Sequence, residues 1–219
     1  MGRKDELNKL IDGGDESALL EVIHSRSDGN KLLRRILARL YSTDPQEKWK
    51  AVTALQVVAG EGGMSSKKVE GLIQRFLWAM SDESGAVPYG IPEALAAVLG
   101  PRPELIPRYL PLLVSYLVHD ELVQTGPILA GVIWALGQLG IESSEELDRA
   151  LPGLRAALQS KDQELQGAAL FALPRLALVD GSREEIRALA EVDGHHATLL
   201  IDGRIETLSI AELAERCLA

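Results

Sequence analysis

One cysteine, Cys217, is all the thiol chemistry this chain has. That excludes an internal disulfide and a cysteine-built zinc knuckle, and it fits a reducing compartment such as the cytoplasm. Aromatic residues are scarce at 4%, against 46% hydrophobic residues in total. The interior must therefore be filled by Leu, Ala, Val and Ile, a composition that suits closely packed helix pairs and predicts an all-α chain. Long apolar runs are also lacking. The most apolar region, Ile128 to Leu139, is interrupted by Gly131, Gly137 and Gln138, whereas a membrane-spanning helix needs roughly 18 uninterrupted apolar residues. The opening Met-Gly-Arg-Lys-Asp-Glu has charge but no apolar stretch behind it, and Glu6 stands where a myristoylation signal wants Ser or Thr. Neither a targeting segment nor a membrane partner is expected.

Basic excess is missing too. The net charge is −9, and residues 120–219 hold all of it, with 8 Lys or Arg against 17 Asp or Glu, while residues 1–119 balance 15 against 15. Phosphate neutralisation supplies most non-specific affinity for nucleic acid, so an acidic surface argues against that partner. Lys31, Arg34, Arg35 and Arg39 are the exception, and without a matching basic stripe in later repeats they read as a solvated helix face.

What the chain does have is a period. Asp44, Asp82, Asp120 and Asp162 follow one another at 38, 38 and 42 residues, each just after an amphipathic run. The last apolar positions of those runs, Leu40, Met80, Val118 and Leu158, repeat at 40, 38 and 40. Repeats of about 40 residues built from two helices describe solenoids of the HEAT or armadillo kind, in which each pair buries its apolar face only against its neighbours. The expected fold is all-α, a right-handed α-α superhelix (HEAT-like solenoid) with a small C-terminal β-hairpin and helix cap. A solenoid grows by addition, so residues 1–178 form one body: a cap helix over 15–25, then helix pairs over 28–60, 65–100, 103–140 and 143–178.

Helix signals agree with this division. Asp44-Pro45-Gln46-Glu47 is an N-cap with proline at the first helical position, Ser143-Ser144-Glu145-Glu146 is a capping box, and Gly60, Gly100 and Gly140 stand where second helices stop, ready for left-handed backbone. Past Gly181 a C-terminal cap over 179–219 is expected. Within it, Asp202-Gly203 between two β-prone runs predicts a hairpin over 197–208 with a type I′ turn, and Ser209-Ile-Ala-Glu212 starts a terminal helix.

Chemistry is harder to find. Ser84-Gly85 lacks the setting of a nucleophile elbow, Cys217 lies far from any histidine in sequence, and Gly60-Glu61-Gly62-Gly63 follows no strand, so no catalytic residue and no phosphate loop is assigned. Di-iron sites on HEAT repeats use recurring His-Glu pairs; here the residues before the four aspartates are Thr43, Ser81, His119 and Lys161, so one imidazole stands where several are needed. No metal and no cofactor is expected. Trp49, Trp78 and Trp134 lie near apolar stripes and read as packing residues, with Trp134 the best candidate for ligand contact.

The irregular stretch from Ser81 to Glu93, rich in Gly, Pro and acidic residues, interrupts an otherwise compact pattern. Phe76-Leu77-Trp78-Ala79-Met80-Ser81-Asp82-Glu83-Ser84-Gly85, Pro92-Glu93-Ala94, Tyr109-Leu110-Pro111 and Gly131 to Gly137 resemble HEAT-repeat proteins of anaerobic prokaryotes, often labelled as similar to the HEAT-like repeats of phycobilisome chromophore lyases. The likeness covers about residues 70–140 and implies the repeat fold without bringing an established activity.

Stacked pairs would set Asp82, Glu83, Tyr89 and Glu93 beside His119, Glu121 and Gln124 of the next repeat, near Trp134, as an interaction patch. Asp82 and Asp120 also have a simpler role as helix caps. The expected function is a non-enzymatic scaffold that binds another protein or peptide segment through a concave face lined by second helices. The alternative is a chromophore- or tetrapyrrole-handling, lyase-like helper that clamps its ligand with the 82–93 loop and Trp134.

Overall fold

Two of the periodic aspartates show how a repeat begins. Asp44 accepts a hydrogen bond from the Gln46 N–H at 2.9 Å, and Asp162 accepts one from the Glu164 N–H at 2.9 Å. Their backbones are near-identical, with φ, ψ of −80°, 114° and −82°, 114°. In both cases a serine two residues earlier, Ser42 or Ser160, accepts from the N–H of the aspartate itself. Each cap satisfies one of the donors that a helix start leaves orphaned. The computed structural model describes residues 3–80, 89–118, 126–141 and 144–219. Asp82 and Asp120, and the expected capping box at Ser143, lie outside them.

The chain forms two compact units, Met1–Pro103 and Glu104–Ala219. The first contains α1 (Arg3–Gly13), α2 (Glu16–His24), α3 (Asp28–Arg39), α4 (Pro45–Ala59), α5 (Ser66–Met80) and α6 (Ile91–Leu99). The second contains α7 (Ile106–Val118), α8 (Gly126–Leu139), α9 (Ser144–Leu158), α10 (Gln163–Arg175), α11 (Arg183–Leu189), a hairpin of β1 (His196–Ile201) and β2 (Arg204–Ser209), and α12 (Ile210–Leu218). Helices alternate as first and second members of pairs, and within each unit like packs on like: α4 on α6 in the first, α7 on α9 and α8 on α10 in the second.

Helix α1 is an addition to the sequence expectation, which opens the first body with a single helix over 15–25. Among the described residues of α1, Leu7 and Ile11 reach the core, one turn apart, too few apolar positions to make a period visible. Charge holds α1 in place. Arg39 on α3 pairs with Asp12 of α1 at 2.6 Å and with Glu47 of α4 at 3.2 Å, and its hydrogen bond keeps the Asp12 carboxyl below the usual carboxylate range.

Two of the three expected glycine stops work differently from the expectation. Gly140 is left-handed at φ 75°, but Gly60 and Gly100 have φ of −74° and −53°. After α4 the left-handed residue is Gly62, and Gly63 is needed for space, since a Cβ there would meet the Val58 carbonyl oxygen at 2.2 Å. Arg102 then closes this corner. Its guanidinium donates to the Ala59 and Met64 carbonyls at 3.0 to 3.2 Å and to Ser66 Oγ at 3.2 Å, placing positive charge at the C-terminal end of α4, where the helix dipole favours it.

In the second unit α8 and α10 approach closely because Gly137 has no side chain: a Cβ there would lie 2.7 Å from Ala172 Cα. On its other side α10 meets the hairpin, where a Cβ on Gly167 would lie 2.5 Å from Ala197 Cβ. The strands are antiparallel with Ile201 opposite Arg204, and the two turn residues Asp202 and Gly203 have φ of 48° and 80°, the positive values a type I′ turn requires. Helix α12 starts with a reciprocal capping box between Ser209 and Glu212 and packs on α10 and α11. The hairpin and α12 thus pack on α10 of the last helix pair, within the compact unit Glu104–Ala219.

Candidate functional site

Second helices offer little surface. Every residue of α6, residues 165–173 of α10 and residues 130–137 of α8 are buried. Among the described residues, the large apolar side chains left in solvent are Tyr41 after α3, Trp78 on α5, Leu112 and Val118 on α7, and Tyr89 at the entry to α6. Single exposed apolar residues are ordinary; a tryptophan that is 74% exposed is not.

Trp78 is where its sequence phase puts it. Val69, Leu72, Ile73, Phe76 and Met80 of α5 are buried, and at 100° per residue Trp78 falls about 180° from the centre of that stripe. The other two tryptophans behave as expected for packing. Trp49 is buried, with the Lys48 ammonium 4.5 Å above its ring.

Trp134, the tryptophan singled out from sequence for ligand contact, is 2% exposed. Its Nε1–H donates to the Leu200 carbonyl oxygen at 3.0 Å and its ring stacks on Phe171 at a centroid distance of 5.8 Å. It is a strut joining α8, α10 and β1. One face lies on Phe171, the polar edge is bonded to Leu200 and the indole is buried, so it is not presented to a ligand.

The remaining patch residues separate in the same way. Asp82, Glu83, His119, Glu121 and Gln124 lie outside the described residues. Tyr89 is 42% exposed. Glu93, expected at the surface beside it, is 1% exposed and receives a hydrogen bond from Lys48 Nζ at 2.7 Å. Glu93 is the third residue of α6, so its side chain turns back over the helix start into the interior, where the helix dipole and Lys48 both favour its charge.

Around Tyr89 the chain builds a small feature that the sequence did not reveal. The Gly90 N–H donates to the Leu40 carbonyl at 3.0 Å, and a Cβ on Gly90 would stand 2.8 Å from that oxygen. This contact presses the entry of α6 onto the exit of α3, with Tyr41 and Tyr89 adjoining the bonded residues. Beside it lies a pocket of about 20 Å³ lined by Leu37, Leu40, Tyr41, Arg75, Phe76, Ala79 and Ile91. Residues far apart in sequence make it, so no local motif marks it.

Catalytic and metal chemistry finds no assembly among the described residues. No cluster of three or more His, Cys, Asp or Glu is placed to hold a metal ion there. Burial pushes the Cys217 thiol up to about 11, which leaves it protonated and a poor nucleophile at neutral pH. No helix among the described residues is long and apolar enough to cross a membrane.

No known family and no curated protein matches the chain in sequence. Solved structures do match. An engineered protein from a structural genomics consortium superposes with a TM-score of 0.52 at 18% identity, over 100% of this chain and 98% of that one. A designed armadillo repeat protein in complex with the peptide (KR)4 gives 0.51 at 13% identity, over 93% and 98%. A computationally designed armadillo repeat protein for modular peptide recognition gives 0.50 at 15%, over 97% of each. The fold is an armadillo-like helical repeat. This repeat chain carries a small antiparallel hairpin that α10 and α12 hold in place.

Proposed function

We propose that the chain is a non-enzymatic scaffold that holds another protein or a peptide segment on the exposed side of its first helices. Trp78 is the observation that carries this reading. A side chain of that size left in water is the residue type most enriched among binding hot spots. Tyr41 and Tyr89 supply two more amphipathic anchors in the same unit. Two of the structural neighbours are designed repeat proteins, one bound to a peptide and one built for modular peptide recognition; their fold supports a scaffold without naming this chain's partner. Placing the contact on first helices departs from the concave second-helix face expected from sequence, because α6 and the middle turns of α8 and α10 are buried. A cytoplasmic setting, supported by the single buried thiol, belongs to the same proposal.

No observation favours the chromophore-handling alternative. The resemblance to lyase-like HEAT repeats concerns sequence, and the tryptophan meant to clamp the ligand is committed to the hairpin. Visible absorbance of the purified chain would revive it.

Trp78→Ala tests the scaffold. The native chain, immobilised in an extract of its own cells, is expected to retain a protein in stoichiometric amount. The variant should lose that protein by at least about 30-fold in affinity, the loss typical of a hot-spot tryptophan. Its melting temperature should stay within the narrow range expected for a surface change. Equal retention by the variant, or no stoichiometric protein on the native chain, overturns the proposal.

A further inference from the structure

The first helices of unit 1 run against the charge of the chain. Net charge is −9, yet α3 carries four basic residues to one acidic, and α5 three to one. Part of this is used internally: Arg39 serves Asp12 and Glu47, and Lys31 pairs with Asp28. Arg34 and Arg75 are exposed and have no ion-pair partner among the described residues.

Their placement is specific. Arg75 lines the pocket between α3, α5 and the start of α6. Arg34 precedes Leu37 by three residues, which puts both on one face of α3, and Tyr41 follows just past the helix end. The pocket interior is apolar, from Leu37, Leu40, Phe76, Ala79 and Ile91, and its volume suits one methyl-sized group. Tyrosines stand beside it, a residue type that presents an apolar body and a polar tip at binding surfaces. A guanidinium fork with no carboxylate partner among the described residues, next to an apolar cleft, offers paired N–H donors in the geometry a carboxylate accepts.

We propose that this pocket docks an acidic peptide segment: the tip of one aliphatic side chain enters between Leu37, Phe76 and Ile91, a neighbouring carboxylate pairs with Arg75, and a second meets Arg34. This rests on the scaffold reading and names the chemistry of the segment it holds. Charge complementarity selects an acidic partner, since the basic α3 and α5 belong to an otherwise acidic chain. The dry interior selects a peptide over a nucleic acid, because a phosphate backbone has no aliphatic group to place there.

Fluorescence anisotropy on the full chain tests it with a labelled eight-residue peptide in which one leucine lies among glutamates. Control probes replace the leucine by serine or the glutamates by lysines, and a single-stranded oligonucleotide is a third. The acidic leucine peptide should bind at least about tenfold more tightly than any control. Arg75→Glu and the pocket-filling Ala79→Leu should each weaken it by about tenfold or more. Lys67→Glu, the same charge change about 12 Å nearer the start of α5, should alter it by less than about threefold. Thermal melts confirm that each variant is folded.

Equal binding of the serine peptide, equal loss in Lys67→Glu, or an oligonucleotide bound as tightly as the peptide would each overturn the pocket. The two proposals fail separately. A protein partner that Trp78→Ala releases while Arg75→Glu and Ala79→Leu retain it leaves the scaffold standing and removes this docking site.

Discussion

Trp134→Ala is expected to destabilise the second unit by about 3–5 kcal/mol, the usual cost of emptying a large aromatic site in a packed core. Three losses combine in that one change. The indole fills space between α8 and α10, its ring leaves Phe171 without a stacking partner, and its N–H leaves the Leu200 carbonyl unsatisfied. Relaxation cannot close the gap cheaply, because Gly137 already brings the two helix backbones to their nearest approach. Trp134→Phe separates the contributions. It keeps an aromatic ring and removes the donor, so its cost should be smaller, about 1–3 kcal/mol for the orphaned oxygen. Urea titrations followed by circular dichroism measure both. A loss for Trp134→Ala below about 1 kcal/mol, the size of an ordinary point change, would show that the strut between α8 and the hairpin carries little.

Lys48→Met has a comparable expected effect in the first unit. Glu93 is 1% exposed, and Lys48 donates to one of its carboxylate oxygens at 2.7 Å while the other has no hydrogen-bond partner among the described residues. Removing the ammonium strands a carboxylate in the interior, which costs about 3–5 kcal/mol. The double change Lys48→Met with Glu93→Leu is the informative companion, since replacing a buried pair by apolar side chains of similar volume is often neutral. The double variant is expected to recover most of the stability, and denaturant midpoints of the single and double variants would show it. If the single change costs as little as the double, the carboxylate is not held by its lysine.

The repeat architecture was legible because it rests on local signals: apolar stripes at helical phase, aspartate caps at a fixed period, and one Asp-Gly turn. Asp44, Asp162, Asp202 and Gly203 do in the structure what their types permit almost independently of the rest of the chain. Sites that depend on distant partners were not legible. Glu93 reads as a loop carboxylate until Lys48, 45 residues away, is seen to face it. The corner closed by Arg102 and the pocket beside Leu40 are likewise made by tertiary contact.

Trp78 differs, since its exposure was written in the phase of α5. Buried neighbours at positions 69, 72, 73, 76 and 80 set the stripe, and position 78 lies near it in sequence but opposite it on the helix. For Trp134 the partner is the hairpin carbonyl at Leu200, 66 residues on, which no periodicity encodes.

Cys217 gives the protein a built-in reporter. The only sulfhydryl in 219 residues sits in the final turn of α12, covered and protonated. A thiol-reactive dye therefore modifies the molecule only from conformations in which that turn has lifted away, and its labelling rate counts those excursions. Because α12 rests on α10 and α11, the same single-site chemistry monitors how tightly the end of the chain is latched, without a mutation or an added probe site.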